Sequence, residues 1–407
     1  MFSLFNSYKL GNILDKIIFI CLILYTFTFL LDIKINFLTT AFAFSFVKLL
    51  FIHPKINISV KHIYFIALFT ICIFISMLCN DVHDLTSINI LEYKSRFISP
   101  LIGILIIFLF DFTKRRIIYI ISGFSLSLFF NALVVLYQFS QVGGAGRLVG
   151  FASTYMLLGA INLLILPIIF TLALKKSSLP LYLRIFFALT TLINIPAIII
   201  ENTRIAYIGI FISFLLVIVL SLKTKKQIFI ASLGFILLAC SIFAIAPNSM
   251  QRLESISDTQ YENQSNSERL LMWQSATYMF MDYPIFGVGV GNYHDQYIQK
   301  YRSSLSREDQ WHPHNVLLNM LSESGLLGGV SFLLLFGYIY YNAIQTWRRT
   351  KNIVSLAYLA SLTGYTINFF TDSMFSGHNI KSPTTIFYLF TGFYLVLNKY
   401  IIIKFNK

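Results

Sequence analysis

The sequence predicts an all-α fold, a polytopic membrane protein of about 12 transmembrane helices with one large loop outside the bilayer. Three observations carry this reading. Hydrophobic residues make up 57% of the 407 positions, against about 45–50% in an ordinary soluble domain. Only 12% of residues are charged, and the mean hydropathy is +0.73. The apolar runs recur from one end of the chain to the other. A soluble globule or a disordered chain does not carry this much apolar surface, and a single-span receptor does not repeat it. In lipid every backbone polar group needs a partner within the protein, and runs of this length meet that demand as helices.

The first run, 17–31, has no small-residue cleavage site after it and reads as a retained span, not a signal peptide. Eight further spans are expected at 35–52, 63–79, 97–110, 117–139, 153–174, 185–200, 205–222 and 228–247. A polar interval covers 248–315. Three more spans follow at 326–345, 354–371 and 386–403. Those shorter than about 20 residues should extend into polar flanks or lie inside the bundle. The chain thus divides into a nine-helix bundle (1–247), a loop with short helices (248–315) and a three-helix part (316–407).

The net charge of +14 invites a nucleic-acid reading, but the basic residues lie in short clusters between apolar runs and not on one patch. They report topology instead. With the N-terminus in the cytoplasm, 20 of the 31 Lys and Arg fall on the cytoplasmic side: Lys9, Lys16, Lys48, Lys55, Lys61, Lys114, Arg115, Arg116, Lys175, Lys176, Arg184, Lys223, Lys225, Lys226, Arg348, Arg349, Lys351, Lys399, Lys404 and Lys407. Six lie in short outer loops: Lys34, Lys94, Arg96, Arg147, Arg204 and Lys381. Both termini are therefore expected in the cytoplasm and the 248–315 loop outside. Cys21, Cys72, Cys79 and Cys240 lie in or beside apolar runs without metal-ligand spacing and read as small core residues.

A loop of this length is usually functional. Within it, Ser265 and Glu268 fit a capping box. The run from Glu268 to Phe280 would then put Leu270, Trp273, Thr277 and Phe280 on one face, with Pro284 just past its end. A second short helix is expected from about Pro313 to Glu323, with Gly325 as its stop. His314 would lie at its N-terminus, where the helix dipole disfavours an imidazolium. A neutral ring can take a proton as a general base, or the residue can simply cap the helix. Arg269, one turn before Trp273, suits two parallel bonds to a phosphate or diphosphate, or a surface pair with Glu268. Arg204 lies in the four polar residues Glu201-Asn202-Thr203-Arg204 between two spans. A charge at that depth usually faces the bundle interior and has a function; pairing with Glu201 is the plainer explanation.

Weaker signals surround these. Gly287, Gly289 and Gly291 look like a nucleotide loop but follow a helix, not a strand, so they read as a bend back to the membrane. His294, His312 and His314 lack a convincing further ligand, so no metal site is expected. Arg147, after Gly143-Gly144, is a candidate extra phosphate contact. Most of the 41 Phe and 23 Tyr read as lipid-facing or interfacial.

Three pieces together resemble the O-antigen ligase and polymerase superfamily of bacterial surface-polysaccharide enzymes. The first is His314-Asn315, a nine-residue gap, then Gly325-Leu326-Leu327-Gly328. The second is Arg269-x-x-x-Trp273 followed by Pro284-Ile285-Phe286-Gly287-Val288-Gly289. The third is Thr203-Arg204 ahead of a span. The motifs cover about residues 200–330, and the span layout extends the likeness along the chain. The resemblance implies a GT-C-like, metal-independent, inverting glycosyltransferase without cofactor, in the bacterial inner membrane with its large loop in the periplasm. The donor would be O-antigen on undecaprenyl diphosphate, and the acceptor a sugar hydroxyl of lipid A–core. His314 would be the base, and Arg204 and Arg269 would bind the diphosphate. An O-antigen polymerase, joining repeat units on the carrier, needs the same chemistry; the nine-residue gap favours the ligase. A polysaccharide flippase fits less well, because transporters place polar residues near the bilayer centre and here they collect in an outer loop.

Overall fold

A computed structural model describes residues 2–31, 36–52, 60–80, 82, 85–142, 147–174, 179–245, 264–373, 375 and 383–405. Within them the chain is all-helical, with no strand. The N-terminal half holds α1 (Phe2–Thr28), α2 (Phe37–Ile52), α3 (Val60–Cys79), α4 (Ser87–Tyr93), α5 (Ile102–Leu109), α6 (Lys114–Val142) and α7 (Tyr155–Leu174). The remainder holds α8 (Leu181–Glu201), α9 (Arg204–Ser221), α10 (Lys225–Ile245), α11 (Gln264–Asp282), α12 (Tyr293–Gln296), α13 (Val316–Thr350), α14 (Ile353–Asn368) and α15 (Pro383–Phe405). Residues 248–263 of the long loop, Gly143, Gly144, Lys34, Lys55, Lys175, Lys176, Lys381 and Lys407 lie outside the described residues.

Helix occupies part of every stretch read as a span. Among the described residues, six helices are long and apolar enough to cross a membrane: Leu10–Thr28, α6, α7, α8, α9 and α13. Phe37–Phe51 and Ile63–Cys79 are apolar but shorter. The stretch 97–110 is not one helix. A π turn (Lys94–Ile98) and a 3-10 turn (Ser99–Leu101) join α4 to α5, with Pro100 removing an amide donor at the break.

The bundle centres on α7, which is apolar all round and largely buried, as a central helix should be. It packs against α8, α9 and α14, while α3 packs on α13 and α5 on α15. Between lipid-embedded helices the drive is close packing, not water exclusion, so small residues matter. Any side chain at Gly209 of α9 would collide with Leu163 of α7. Ser361 of α14 donates to the Leu164 carbonyl at 2.5 Å, tying the same helices together.

The segment that carries the predicted histidine departs from expectation. Its helix starts at Val316, with Asn315 as N-cap accepting from the Leu318 amide at 3.1 Å. Gly325 does not stop it; at φ +60° and ψ −158° it kinks α13, which then runs on to Thr350. A kink leaves backbone groups without helical partners, and these must be met elsewhere. The Pro284–Gly291 loop meets them. Val288 and Gly289 amides donate to the Ser322 and Glu323 carbonyls at 2.9 and 3.0 Å. Leu326 and Leu327 amides donate to the Pro284 and Ile285 carbonyls at 2.8 and 3.3 Å. Two backbones touch here. A Cβ on Gly325 would lie 2.3 Å from the Ile285 oxygen, and one on Gly287, at φ +68°, would lie 2.5 Å from the Glu323 carbonyl carbon. The two glycine motifs are thus one joint seen from both sides.

Gly325→Ala is expected to destabilise the fold by about 3 kcal/mol or more, since that backbone region is essentially glycine-only. Gly337→Ala, in the same helix with nothing within 4 Å of the new methyl, is the matched control. Thermal unfolding of the detergent-solubilised protein should fall sharply for the first and stay near wild type for the second.

Several expectations are corrected. Ser265 lies inside α11, which begins at Gln264, and the Glu268 carboxylate accepts from Ser306 Oγ and the Arg307 amide at 2.7 Å each, so the capping box does not form. The buried face of α11 is Glu268, Met272, Ala276 and Met279, whereas Leu270 and Thr277 are exposed. The expected face looked apolar in sequence, but the pocket beneath α11 is filled by Tyr293, Tyr297 and Val288, which select the other side. Of the cysteines, only Cys21 is buried; Cys79 and Cys240 are exposed on the outward surfaces of their helices, where a bilayer would cover them.

Candidate functional site

An open cleft of about 650 Å³ lies where several helix ends meet. Arg147 enters from the segment before α7, Arg204 from the start of α9, Arg269 from the second turn of α11, and Asp372 from the segment after α14. Three of the four predicted site residues therefore line one cavity, although 122 positions separate the first from the last in sequence.

Each arginine is placed by local structure. Asn202 ends α8 in the left-handed conformation, φ +61°, so that a turn of two residues, Asn202 and Thr203, reverses the chain into α9. Tyr207 Oη donates to the Ile199 carbonyl at 2.8 Å and closes the turn from within. The neighbouring Glu201 is fully buried and accepts from Asn162 of α7 at 3.3 Å. Arg204 reaches across to α11, where its Nη1 donates to Asn266 Oδ1 at 2.9 Å. That bond ties the first turn of α9 to the first turn of α11, three residues ahead of Arg269. The Arg147 guanidinium lies 4.0 Å from the centre of the Tyr155 ring, a cation–π contact that fixes its direction. Three guanidinium groups against one carboxylate leave the cleft electropositive and shaped for an anion.

His314 does not line the cleft; it stands behind Asp372, with Nδ1 3.8 Å from Oδ1. It lies one residue before the N-cap and adopts φ +50°. A left-handed non-glycine residue costs of order 1 kcal/mol, and such strain persists where the surroundings hold it. Here the holding is visible: the Val316 amide donates to the Phe369 carbonyl at 2.9 Å, binding the start of α13 to the end of α14, three residues from Asp372. Asp372 is itself buried and accepts from the Ser373 amide at 2.7 Å. His312 packs edge-on against His314, ring centres 4.3 Å apart. Burial first, and then the adjoining His314, pushes its pKa down to about 4, which keeps that ring neutral.

The metal grouping considered in sequence is rearranged. His294 stacks on Trp311 at 3.8 Å and 5°, with Nδ1 3.1 Å from the Gln310 carbonyl, and takes no part. Asp372 stands in its place: ligand atoms of His312, His314 and Asp372 lie within 4.8 Å of one another.

Sequence reasoning missed two residues. One is Asp372, whose only signal was an acid at the outer end of an apolar span. The other is Arg96. Its guanidinium is buried and pairs with both carboxylate oxygens of Glu323, Nη1 to Oε1 at 3.0 Å and Nη2 to Oε2 at 2.5 Å. Glu323 also accepts from the Gly291 amide at 3.1 Å. This pair locks the broken α4–α5 segment, the glycine loop and the first half of α13 into one unit. Its clue was a base on the outer side, against the prevailing charge pattern.

Residues 189–333 match the sequence model of a family described as O-antigen ligase. The match supports the likeness to the O-antigen ligase and polymerase superfamily. Arg204, Arg269, His314 and Gly325 fall inside the matched region, whereas Arg147 and Asp372 fall outside it. No curated protein matches the chain. With its run of long apolar helices, the molecule is a membrane protein.

Proposed function

We propose that the protein transfers O-antigen polysaccharide from undecaprenyl diphosphate to a sugar hydroxyl of lipid A–core at the periplasmic face of the inner membrane. The observation that carries this reading is the convergence of Arg147, Arg204 and Arg269 on one cleft whose wall, Asp372, abuts His314. The four chain segments involved are all ones that the distribution of basic residues assigns to the outer side, which supports that topology with both termini in the cytoplasm.

The reaction follows from these groups. The donor diphosphate lies against Arg204 and Arg269, with Arg147 as a third contact, each suited to paired bonds to phosphate oxygens. The acceptor hydroxyl gives its proton to His314 as its oxygen attacks the anomeric carbon. The bond from that carbon to the diphosphate oxygen breaks, and the arginines stabilise the charge that develops on the leaving group. Asp372, whose carboxylate lies 3.8 Å from His314 Nδ1, stabilises the protonated imidazole by its charge. Direct displacement inverts the anomeric configuration. The reaction as written draws on side chains alone.

The glycolipids of a strain lacking this protein test the reading. Unmodified lipid A–core, with full-length polymer retained on the carrier, is the expected result. Core bearing single repeat units would identify a polymerase instead. Transfer by purified protein in detergent, where no gradient exists, separates either enzyme from a flippase.

A further inference from the structure

We propose that His312, His314 and Asp372 form a binding site for a borderline divalent transition-metal ion such as Zn2+, and that the ion, once bound, shuts off the histidine required for transfer. The three side chains come from two places in the chain, the His312-Pro313-His314 segment ahead of α13 and the segment after α14. Their ligand atoms lie within 4.8 Å of one another. Two imidazoles and one carboxylate are a donor set that such ions take, leaving a fourth position open.

Two independent observations favour an ion here over a chance grouping. The Nδ1 atoms of both His312 and His314 are buried without a hydrogen-bond partner, and 3.8 Å separates His314 Nδ1 from the Asp372 carboxylate, too far for one. Buried imidazole nitrogens are normally satisfied, so two adjacent orphans beside a carboxylate ask for a ligand. The rings are also held for the purpose. Pro313 stiffens the connection between them, and His314 is fixed at φ +50° between the N-cap of α13 and the end of α14. Bonds of about 2.0–2.1 Å to a tetrahedral ion put donor atoms a little over 3 Å apart, so closure needs side-chain shifts of about 1 Å. Arg96, whose charge reaches His312, is neutralised by its bidentate pair with Glu323, so the cations left to oppose the ion are the three arginines that share the cleft with Asp372.

A metal on the His314 nitrogen occupies the lone pair that would accept the acceptor's proton. The inhibition therefore rests on the role proposed for His314, whereas the binding does not. The test is made on the purified full chain in detergent, with Co2+ as a spectroscopic probe and Zn2+ as the inhibitor. One Co2+ per chain, with the intense visible bands of four-coordinate nitrogen and oxygen ligation and displaced by Zn2+, is the expected result. His312→Ala should weaken Co2+ binding by more than the 10–100-fold, roughly, that loss of an outer-shell partner costs. Zn2+ should block transfer by the wild-type protein over the same range in which it displaces Co2+, and a chelator should restore it. A weak octahedral spectrum in the wild-type protein would overturn the site without recourse to any variant. Co2+ binding unchanged in His312→Ala would do the same. Tight binding at these residues with transfer unaffected would keep the metal site and refute the inhibition, and with it the role of His314.

Discussion

His314→Ala is expected to lower transfer by about 10²–10⁴-fold, the range a positioned general base supplies. Donor affinity should stay close to wild type, because the arginines that hold the diphosphate line the cleft and His314 does not. His314→Gln should fail equally, since an amide fills the space but takes no proton. The loss should not reflect unfolding. His314 contributes neither the cap of α13, which Asn315 provides, nor the Val316 bond to Phe369. Turnover of purified protein, read beside thermal unfolding, checks both halves of the expectation.

Arg269→Ala and Arg204→Ala should each lower the rate by about 10²–10³-fold, the cost of removing one donor aimed at developing charge. Unlike the histidine variant, both should also weaken donor binding. Arg204 has a second duty, since its bond to Asn266 joins α9 to α11, and its removal should loosen the cleft as well as discharge it. Lysine at either position keeps the charge but loses the planar fork, so rescue should be partial. Binding of donor to each purified variant, together with initial rates, separates the two contributions.

Much of this could be read from the chain before any coordinates. Apolar runs located the helices because period and length alone govern what can lie in lipid. The arginines were legible for the same reason: a guanidinium between two spans, as at Arg204, is too costly there to be incidental. What stayed hidden depends on where distant segments meet. Asp372 carries no motif of its own; it matters because the end of α14 is bonded to the start of α13. Arg96 looked like an ordinary loop charge, and only its partner 227 positions away gives it meaning. Gly325 read as a stop because a glycine after an amphipathic run usually is one. The helix continues through it because the Pro284–Gly291 loop supplies the hydrogen bonds that the kink removes. The other face of α11 is the buried one because Ala276 and Met279 pack in one cluster with Val288, Tyr293 and Tyr297, residues that follow α11 in the chain and whose placement helical spacing alone does not reveal.

The division of labour between base and anion clamp is the centre of this account, and donor affinity measured alongside turnover in His314→Ala and Arg269→Ala tests it most directly. The predicted outcome is a split. The histidine variant binds undecaprenyl-diphosphate-linked polysaccharide like wild type and does not transfer it, while the arginine variant binds it poorly. Equal weakening of donor binding in both, or wild-type turnover in either, would contradict it.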